Sequence, residues 1–147
     1  MMRHLARAVL LLALTCVSPR ASVAADDGYQ VIVNVAAAAA EMERAEVARF
    51  FLRQATKWSD GQSVLPIDQS ARSGVRDAFS KGVLRQPLPA VESYWQRQIA
   101  SGRAVPPPVK TTDAEVLAFV ASTPGSIGYV SGALELTPGV KRLRLKE

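Results

Sequence analysis

Histidine and cysteine are almost missing from this sequence. Its 147 residues contain one of each, His4 and Cys16, and both lie within the first 24 residues. If that segment is removed, as predicted below, the remaining chain can form no disulfide and can build no zinc site from cysteine or histidine. Ser-His-Asp and Cys-His catalysis are excluded for the same reason. Carboxylates, lysines, tyrosines and hydroxyls are the chemistry that remains.

Paired carboxylates are one enzyme chemistry still open to such a chain, because two of them can act as general acid and base. The spacing of Asp60, Asp68 and Asp77 does not mark any two of them as such a pair. We therefore expect a protein that is not an enzyme and that carries no metal or cofactor. A carboxylate-based envelope enzyme stays as the weakest alternative.

Long apolar runs are also lacking. The longest run, Ala8–Val17, has ten residues, about half of the roughly 20 that cross a bilayer as a helix. A positively charged stretch precedes it, and small residues at Ser22 and Ala24 follow it, which is the order of a cleavable signal peptide. We predict a signal peptide over residues 1–24, a single exported, periplasmic domain over 25–147, and no membrane span after cleavage.

Two alternatives remain for this segment. It could stay uncleaved as an N-terminal anchor, or it could be cut before Cys16 for lipid attachment. The second alternative is weak, because Ala13, Leu14 and Thr15 fit a lipid-attachment site poorly.

Excess positive charge largely disappears with the same segment. Three of the 18 basic residues lie in residues 1–24, which leaves 15 basic against 13 acidic residues and lowers the formal net charge from +5 to +2. Nucleic acids and anionic membranes are bound by clustered basic residues. The one local cluster, Lys141–Lys146, alternates with leucine and is typical of a strand with one solvated face. We expect no nucleic-acid partner.

Hydrophobic periodicity predicts an alternation of strands and helices. The predicted strands are Tyr29–Val35, Val64–Ile67, Ile127–Val130 and Val140–Leu145. The predicted helices are Glu41–Gln54, Ser70–Leu84, Ala90–Ala100 and one that begins at the capping-box sequence Thr112–Glu115. This order indicates an α/β domain, a small mixed sheet flanked by about four helices.

An ordered set of short motifs runs through almost all of the predicted domain. They are Val31-Ile32-Val33-Asn34, Arg49-Phe50-Phe51-Leu52, Trp58-Ser59-Asp60-Gly61, Leu65-Pro66-Ile67-Asp68, Ser73-Gly74-Val75-Arg76-Asp77-Ala78-Phe79, Tyr94-Trp95 and Pro124-Gly125-Ser126-Ile127-Gly128-Tyr129-Val130. Their order resembles the periplasmic phosphate-binding proteins of ABC transporters, and more closely the short, single-domain relatives of those proteins. The resemblance implies one lobe of the periplasmic-binding-protein fold.

The resemblance also implies a ligand. Full-length members close two lobes on an oxyanion, which backbone N–H groups and hydroxyls at helix N-termini hold. Ser73 and Gly74 stand where the family has Ser-Gly-Thr, so the Ser73 hydroxyl could donate and Gly74 would let the anion approach the backbone. Val75 replaces the threonine. Arg72 or Arg76 could supply a cation, unless both arginines form the solvated face of the second helix.

We therefore predict a site for phosphate or a related oxyanion, formed by Asn34, Ser70, Arg72, Ser73, Gly74 and Arg76. Asn34 could instead satisfy a loop. A single lobe leaves the anion half exposed to water, where each contact is weaker, so a homodimer or a partner protein would supply the other wall. The family implies an ABC permease as a further partner. The rival hypothesis is a non-enzymatic scaffold or interaction module of the same fold that has lost ligand binding.

Overall fold

The computed structural model describes residues 27–147, so the predicted signal peptide and Cys16 lie outside the described residues. Within the described part, no helix is long and apolar enough to cross a membrane. The strands of this part are β1 (Gln30–Asn34), β2 (Glu41–Glu43), β3 (Leu65–Pro66), β4 (Asp68–Gln69), β5 (Val109–Lys110), β6 (Ser126–Val130), β7 (Val140–Arg142) and β8 (Arg144–Lys146). The α-helices are α1 (Arg44–Phe51), α2 (Gly74–Phe79), α3 (Leu88–Ala100) and α4 (Asp113–Ser122).

A four-stranded mixed sheet, in the order β3-β6-β1-β7, is the centre of the fold. β1 runs antiparallel to β6 and to β7, while β3 runs parallel to β6. Two small parallel pairs, β2-β8 and β4-β5, lie beside it. The expected small mixed sheet with about four helices is confirmed.

Helices cover both faces of this sheet. Successive side chains of a strand point to opposite faces, so Val31 and Val33 pack in the cluster with α1, α2 and α3, and Ile32 packs in the cluster with α4. Every residue of β1 and of β6 is buried. Burial on both faces explains why these strands are almost continuously apolar in sequence.

The predicted helix Glu41–Gln54 is wrong at its beginning. Its first three residues form β2, which pairs with β8, and α1 begins at Arg44. Opposite charges link the two strands, because Glu41 contacts Arg144 at 3.0 Å and Lys146 at 2.9 Å. The predicted single strand Val140–Leu145 is correspondingly two strands, β7 and β8, which belong to different sheets.

The predicted helix Ser70–Leu84 also differs from the structure. Residues 70–73 form a turn, α2 begins at Gly74, and a π-helical turn (Ser80–Leu84) continues it until Arg85 ends it with φ 56°. The predicted strand Val64–Ile67 is shortened to β3, and β4 begins just after the predicted range, at Asp68. The helical spacing of Val91, Tyr94, Trp95 and Ile99 predicts that all four face inward on α3, but Ile99 is exposed. The capping box at Thr112 and Glu115 is confirmed.

Candidate functional site

The N-terminus of α2 has no side-chain cap. Ser73 is its N-cap residue, but no side chain caps the helix, since the Ser73 hydroxyl donates to Gln69 Oε1 at 3.0 Å. The first backbone N–H groups of a helix have no acceptor within it. Gly74 is exposed, and a Cβ built there would meet nothing within 4 Å. The backbone at Gly74 is therefore accessible from solvent.

The turn before α2 brings four of the six predicted residues together: Ser70, Arg72, Ser73 and Gly74. The Ser73 N–H donates to the Ser70 carbonyl at 2.9 Å, and the Arg72 N–H donates to Ser70 Oγ at 3.4 Å. The Ser70 N–H donates to the Lys110 carbonyl at 3.0 Å, which holds the turn against β5. Arg72 is exposed. Its cation is thus available to an anion at the helix start.

Arg76 lies on the inner side of α2, and its side chain turns toward the protein interior. It is only 7% exposed. Its Nη1 lies 2.5 Å from Asp68 Oδ2 and donates to the Gln69 carbonyl at 2.9 Å. The alternative that placed it on a solvated face is therefore wrong for Arg76. The structure uses this guanidinium to hold α2 against β4.

Asp68 is the acceptor around which this buried contact is built. Its Oδ1 accepts from the Tyr129 hydroxyl, and from the Gln69 N–H at 2.9 Å. Burial raises the pKa of Asp68, and the Arg76 guanidinium acts in the opposite direction. Burial and the neighbouring Asp68 charge also raise the pKa of Tyr129. The tyrosine therefore stays protonated and serves as a donor.

Gln69 connects the helix start to the rest of the fold. Its Nε2 donates to the Tyr129 carbonyl at 2.9 Å and to Asp113 Oδ1 at 2.8 Å. Asp113 Oδ2 in turn accepts from the Ser131 hydroxyl at 2.5 Å. Sequence reasoning missed Gln69 as a site residue. The available signal was a polar pair, Asp68-Gln69, directly after the apolar run Val64–Ile67.

Asn34 lies away from the start of α2. Its Nδ2 donates to the carbonyls of Val120 at 2.8 Å and Ala121 at 3.1 Å, and its Oδ1 accepts from the Ala36 N–H at 2.9 Å. Asn34 pairs with Val140, whereas the other end of β1 pairs with the end of β6 that carries Tyr129. The structure therefore does not bring Asn34 together with the other predicted residues, and it shows this side chain satisfying a loop and a helix end.

The N-terminus of α4, in contrast to that of α2, is capped by side chains. Thr112 Oγ1 accepts from the Glu115 N–H, and the Glu115 carboxylate accepts from the N–H groups of Thr111 and Thr112. These backbone hydrogen bonds lower the pKa of Glu115. The Glu115 N–H of α4 is thus paired with the Thr112 hydroxyl, and the two N–H groups just before the helix are paired with the Glu115 carboxylate. The start of α2 has no side-chain cap. In residues 27–147, no group of three or more acidic, histidine or cysteine side chains could hold a metal ion.

Comparison with known proteins relates the chain to solved structures only. No family model matches it, and no curated protein matches its sequence. A protein from Clostridium perfringens, described as a phosphate ABC transporter substrate-binding protein and solved with bound phosphate, superimposes with a TM-score of 0.62 at 15% identity, over 82% of this chain and 46% of its own. An ABC-type phosphate transport receptor from Vibrio cholerae gives 0.61 at 18% identity, over 80% and 46%.

A third structure, described as a possible phosphate binding protein from Planctomyces limnophilus, gives a TM-score of 0.58 at 17% identity. The matches extend over most of this chain but over 42% to 46% of these three proteins. At such identities the likeness shows the fold. The chain therefore has the α/β fold of these solved proteins, and it spans less than half of their length.

Proposed function

We propose that this protein is a solute-binding-type protein that binds phosphate or a related oxyanion at the start of α2. The observation that carries the proposal is the helix start without a side-chain cap, where the exposed Gly74 lies beside the exposed cation of Arg72. Such a helix start attracts an anion through its free N–H groups and its positive dipole end. A fold neighbour with bound phosphate supports this choice of ligand.

The proposed site has protein on one side only and is open to water on the other. Its residues, Ser70, Arg72, Ser73 and Gly74, all come from one turn, and the Ser73 hydroxyl would have to leave Gln69 Oε1 to donate to an anion. Arg76, which could have added a second cation, is bound to Asp68. Water on the open side weakens each ionic contact. A second copy of the chain or a partner protein would supply the missing wall, and an ABC permease of a phosphate uptake system fits the same proposal.

Phosphate titration by calorimetry tests this function. We expect the double variant Arg72→Ala, Ser73→Ala to bind phosphate about tenfold more weakly than the unaltered protein, because it loses the exposed cation and a hydroxyl that would turn from Gln69 to the anion. Arg103→Ala is a matched control, since Arg103 is exposed in the turn after α3. Binding heat that is unchanged in the double variant, or no heat with phosphate or sulfate up to millimolar concentration, would contradict the proposal.

A non-enzymatic scaffold or interaction module is the second candidate function. It is favoured by the internal use of Arg76 and Asn34, two residues whose polar groups are bound within the protein. Under this hypothesis the fold stays intact while no oxyanion binds. Finding hydrolase activity against glycans or phosphoesters would argue against both candidates.

Export is part of the same proposal. The charged start, the apolar run Ala8–Val17 and the small residues before Ala25 support cleavage and a periplasmic location. Mass spectrometry of the protein recovered from the periplasm is expected to give an N-terminus near Ala25. An intact N-terminus at Met1 would contradict it.

A further inference from the structure

A cleft with three basic and two acidic side chains lies in a different part of the fold, beside the start of β1, the start of α1 and the π-helical turn. Its volume is about 460 Å³, which is within the range of small-molecule sites. The residues that line it are Asp27, Tyr29, Arg44, Ala78, Lys81, Gly82, Arg85 and Glu147. None of them belongs to the proposed oxyanion site at the start of α2.

Arg44 is the fixed cation of this cleft. Its side chain is 17% exposed, and its Nη1 donates to the Tyr29 hydroxyl at 2.7 Å and to the Gly82 carbonyl at 3.0 Å. Its Nε is buried without an acceptor among the described residues. A largely buried guanidinium needs an anion beside it. The contacts with Tyr29 and Gly82 hold Arg44 in place but do not neutralise it.

Two unusual features of the backbone lie next to Arg44, one at Gly82 and one at Arg85. A Cβ at Gly82 would lie 2.5 Å from the Tyr29 hydroxyl, so glycine is needed for the tyrosine to approach the π-helical turn. The second feature is the backbone of Arg85, whose φ of 56° lies in the left-handed region that residues with a Cβ rarely adopt. π-Helical turns and such backbone conformations often occur at functional sites. Here they place a second arginine beside the first.

A carboxylate already occupies the space between the two arginines. Glu147 Oε1 lies 2.6 Å from Arg44 Nη2, and Glu147 Oε2 lies 3.0 Å from Arg85 Nη2. The Glu147 side chain is 70% exposed, and Arg85 is 65% exposed. Arg44 is thus held by its contacts with Tyr29 and Gly82, while the exposed carboxylate is held only by its two ion pairs. The pair with Arg85 is exposed on both sides, and such pairs are weak.

We propose that this cleft is a binding site for a small organic carboxylate, and that Glu147 occupies it as a tethered substitute for that ligand. A free carboxylate would displace the glutamate and bridge Arg44 and Arg85 in the same way, since a guanidinium matches the planar geometry of a carboxylate. Lys81 also lines the cleft and would leave its exposed ion pair with Asp77, at 2.7 Å, to meet a second carboxylate of the same ligand. The proposal does not depend on oxyanion binding at α2.

Succinate titration followed by NMR tests the site, with the amide signal of Gly82 as the reporter. We expect Glu147→Gln to bind succinate about three- to tenfold more tightly than the unaltered protein, because the internal competitor is removed. Arg85→Gln is expected to bind it about tenfold more weakly, because one arginine of the clamp is lost. Both residues are exposed, so neither change should disturb folding.

Glu135→Gln and Arg97→Gln are the matched controls, each an exposed residue elsewhere on the surface. They change the net charge by the same amounts and should leave the affinity unaltered. The proposal is overturned if Glu147→Gln fails to raise the affinity, if Arg85→Gln fails to lower it, or if the controls reproduce the effects. Arg72→Ala, Ser73→Ala should leave succinate binding unchanged, which separates this site from the one at α2.

Discussion

Replacing Asp68 with alanine is expected to lower the free energy of unfolding by about 3–5 kcal/mol, the cost of breaking a buried ion pair by removing one partner. Arg76 would keep its buried position but lose its carboxylate. The Tyr129 hydroxyl and the Gln69 N–H would lose their acceptor in the same step. Urea unfolding followed by tryptophan fluorescence measures the loss.

Asp77→Ala is the matched control, because Asp77 forms an ion pair on the exposed side of the same helix, with Lys81 at 2.7 Å. An exposed pair of this kind contributes about 0–1 kcal/mol. The double variant Asp68→Leu, Arg76→Met should recover much of the lost stability, since apolar groups of similar volume often replace a buried pair without cost. If Asp68→Ala were no more costly than Asp77→Ala, Arg76 would not depend on Asp68.

Local patterns in the sequence were enough to predict most of the elements. The β-branched run before Asn34 predicts β1, and the capping box at Thr112 predicts the beginning of α4; both are confirmed. These signals lie within a few residues of one another, so no knowledge of the fold is needed to read them. The motif order then indicated the fold type, and the structural comparisons confirm that fold.

Pairing between distant segments could not be predicted in this way. Glu41–Glu43 has the composition of a helix start, and it becomes a strand because Arg144–Lys146, about a hundred residues later, supplies its partner. Hydrophobic periodicity says nothing about which surface strand pairs with which. The break at Leu143, which is buried between β7 and β8, is equally a product of the tertiary fold.

The same distinction between local signals and contacts with distant segments applies to the candidate site. Ser70, Arg72, Ser73 and Gly74 are neighbours in sequence, and the structure places them in one turn. Arg76 differs because its orientation depends on Asp68, eight residues earlier and in another element. Asn34 differs because a strand end can face either a ligand or the adjacent loop, and the nearby end of α4 supplies carbonyls for its side chain.

Phe79→Ala is the second change from which a large effect is expected, a loss of about 3–5 kcal/mol in the free energy of unfolding. Phe79 is fully buried at the end of α2. Its ring stacks on Tyr129 with 3.8 Å between centroids, and it meets the rings of Phe51 at 4.7 Å and Tyr29 at 5.7 Å. Its removal leaves a cavity between the helices and the sheet.

Phe119→Ala makes the same chemical change on α4, where the ring is only partly buried, and it should cost clearly less. The position of Phe79 has a further consequence for the site. The Tyr129 ring that it supports carries the hydroxyl bound to Asp68, and Asp68 holds Arg76 and hence the start of α2. Hydrogen exchange at the α2 amides is therefore expected to accelerate in Phe79→Ala and not in Phe119→Ala. Equal exchange in the two variants would mean that the aromatic core does not fix the helix start.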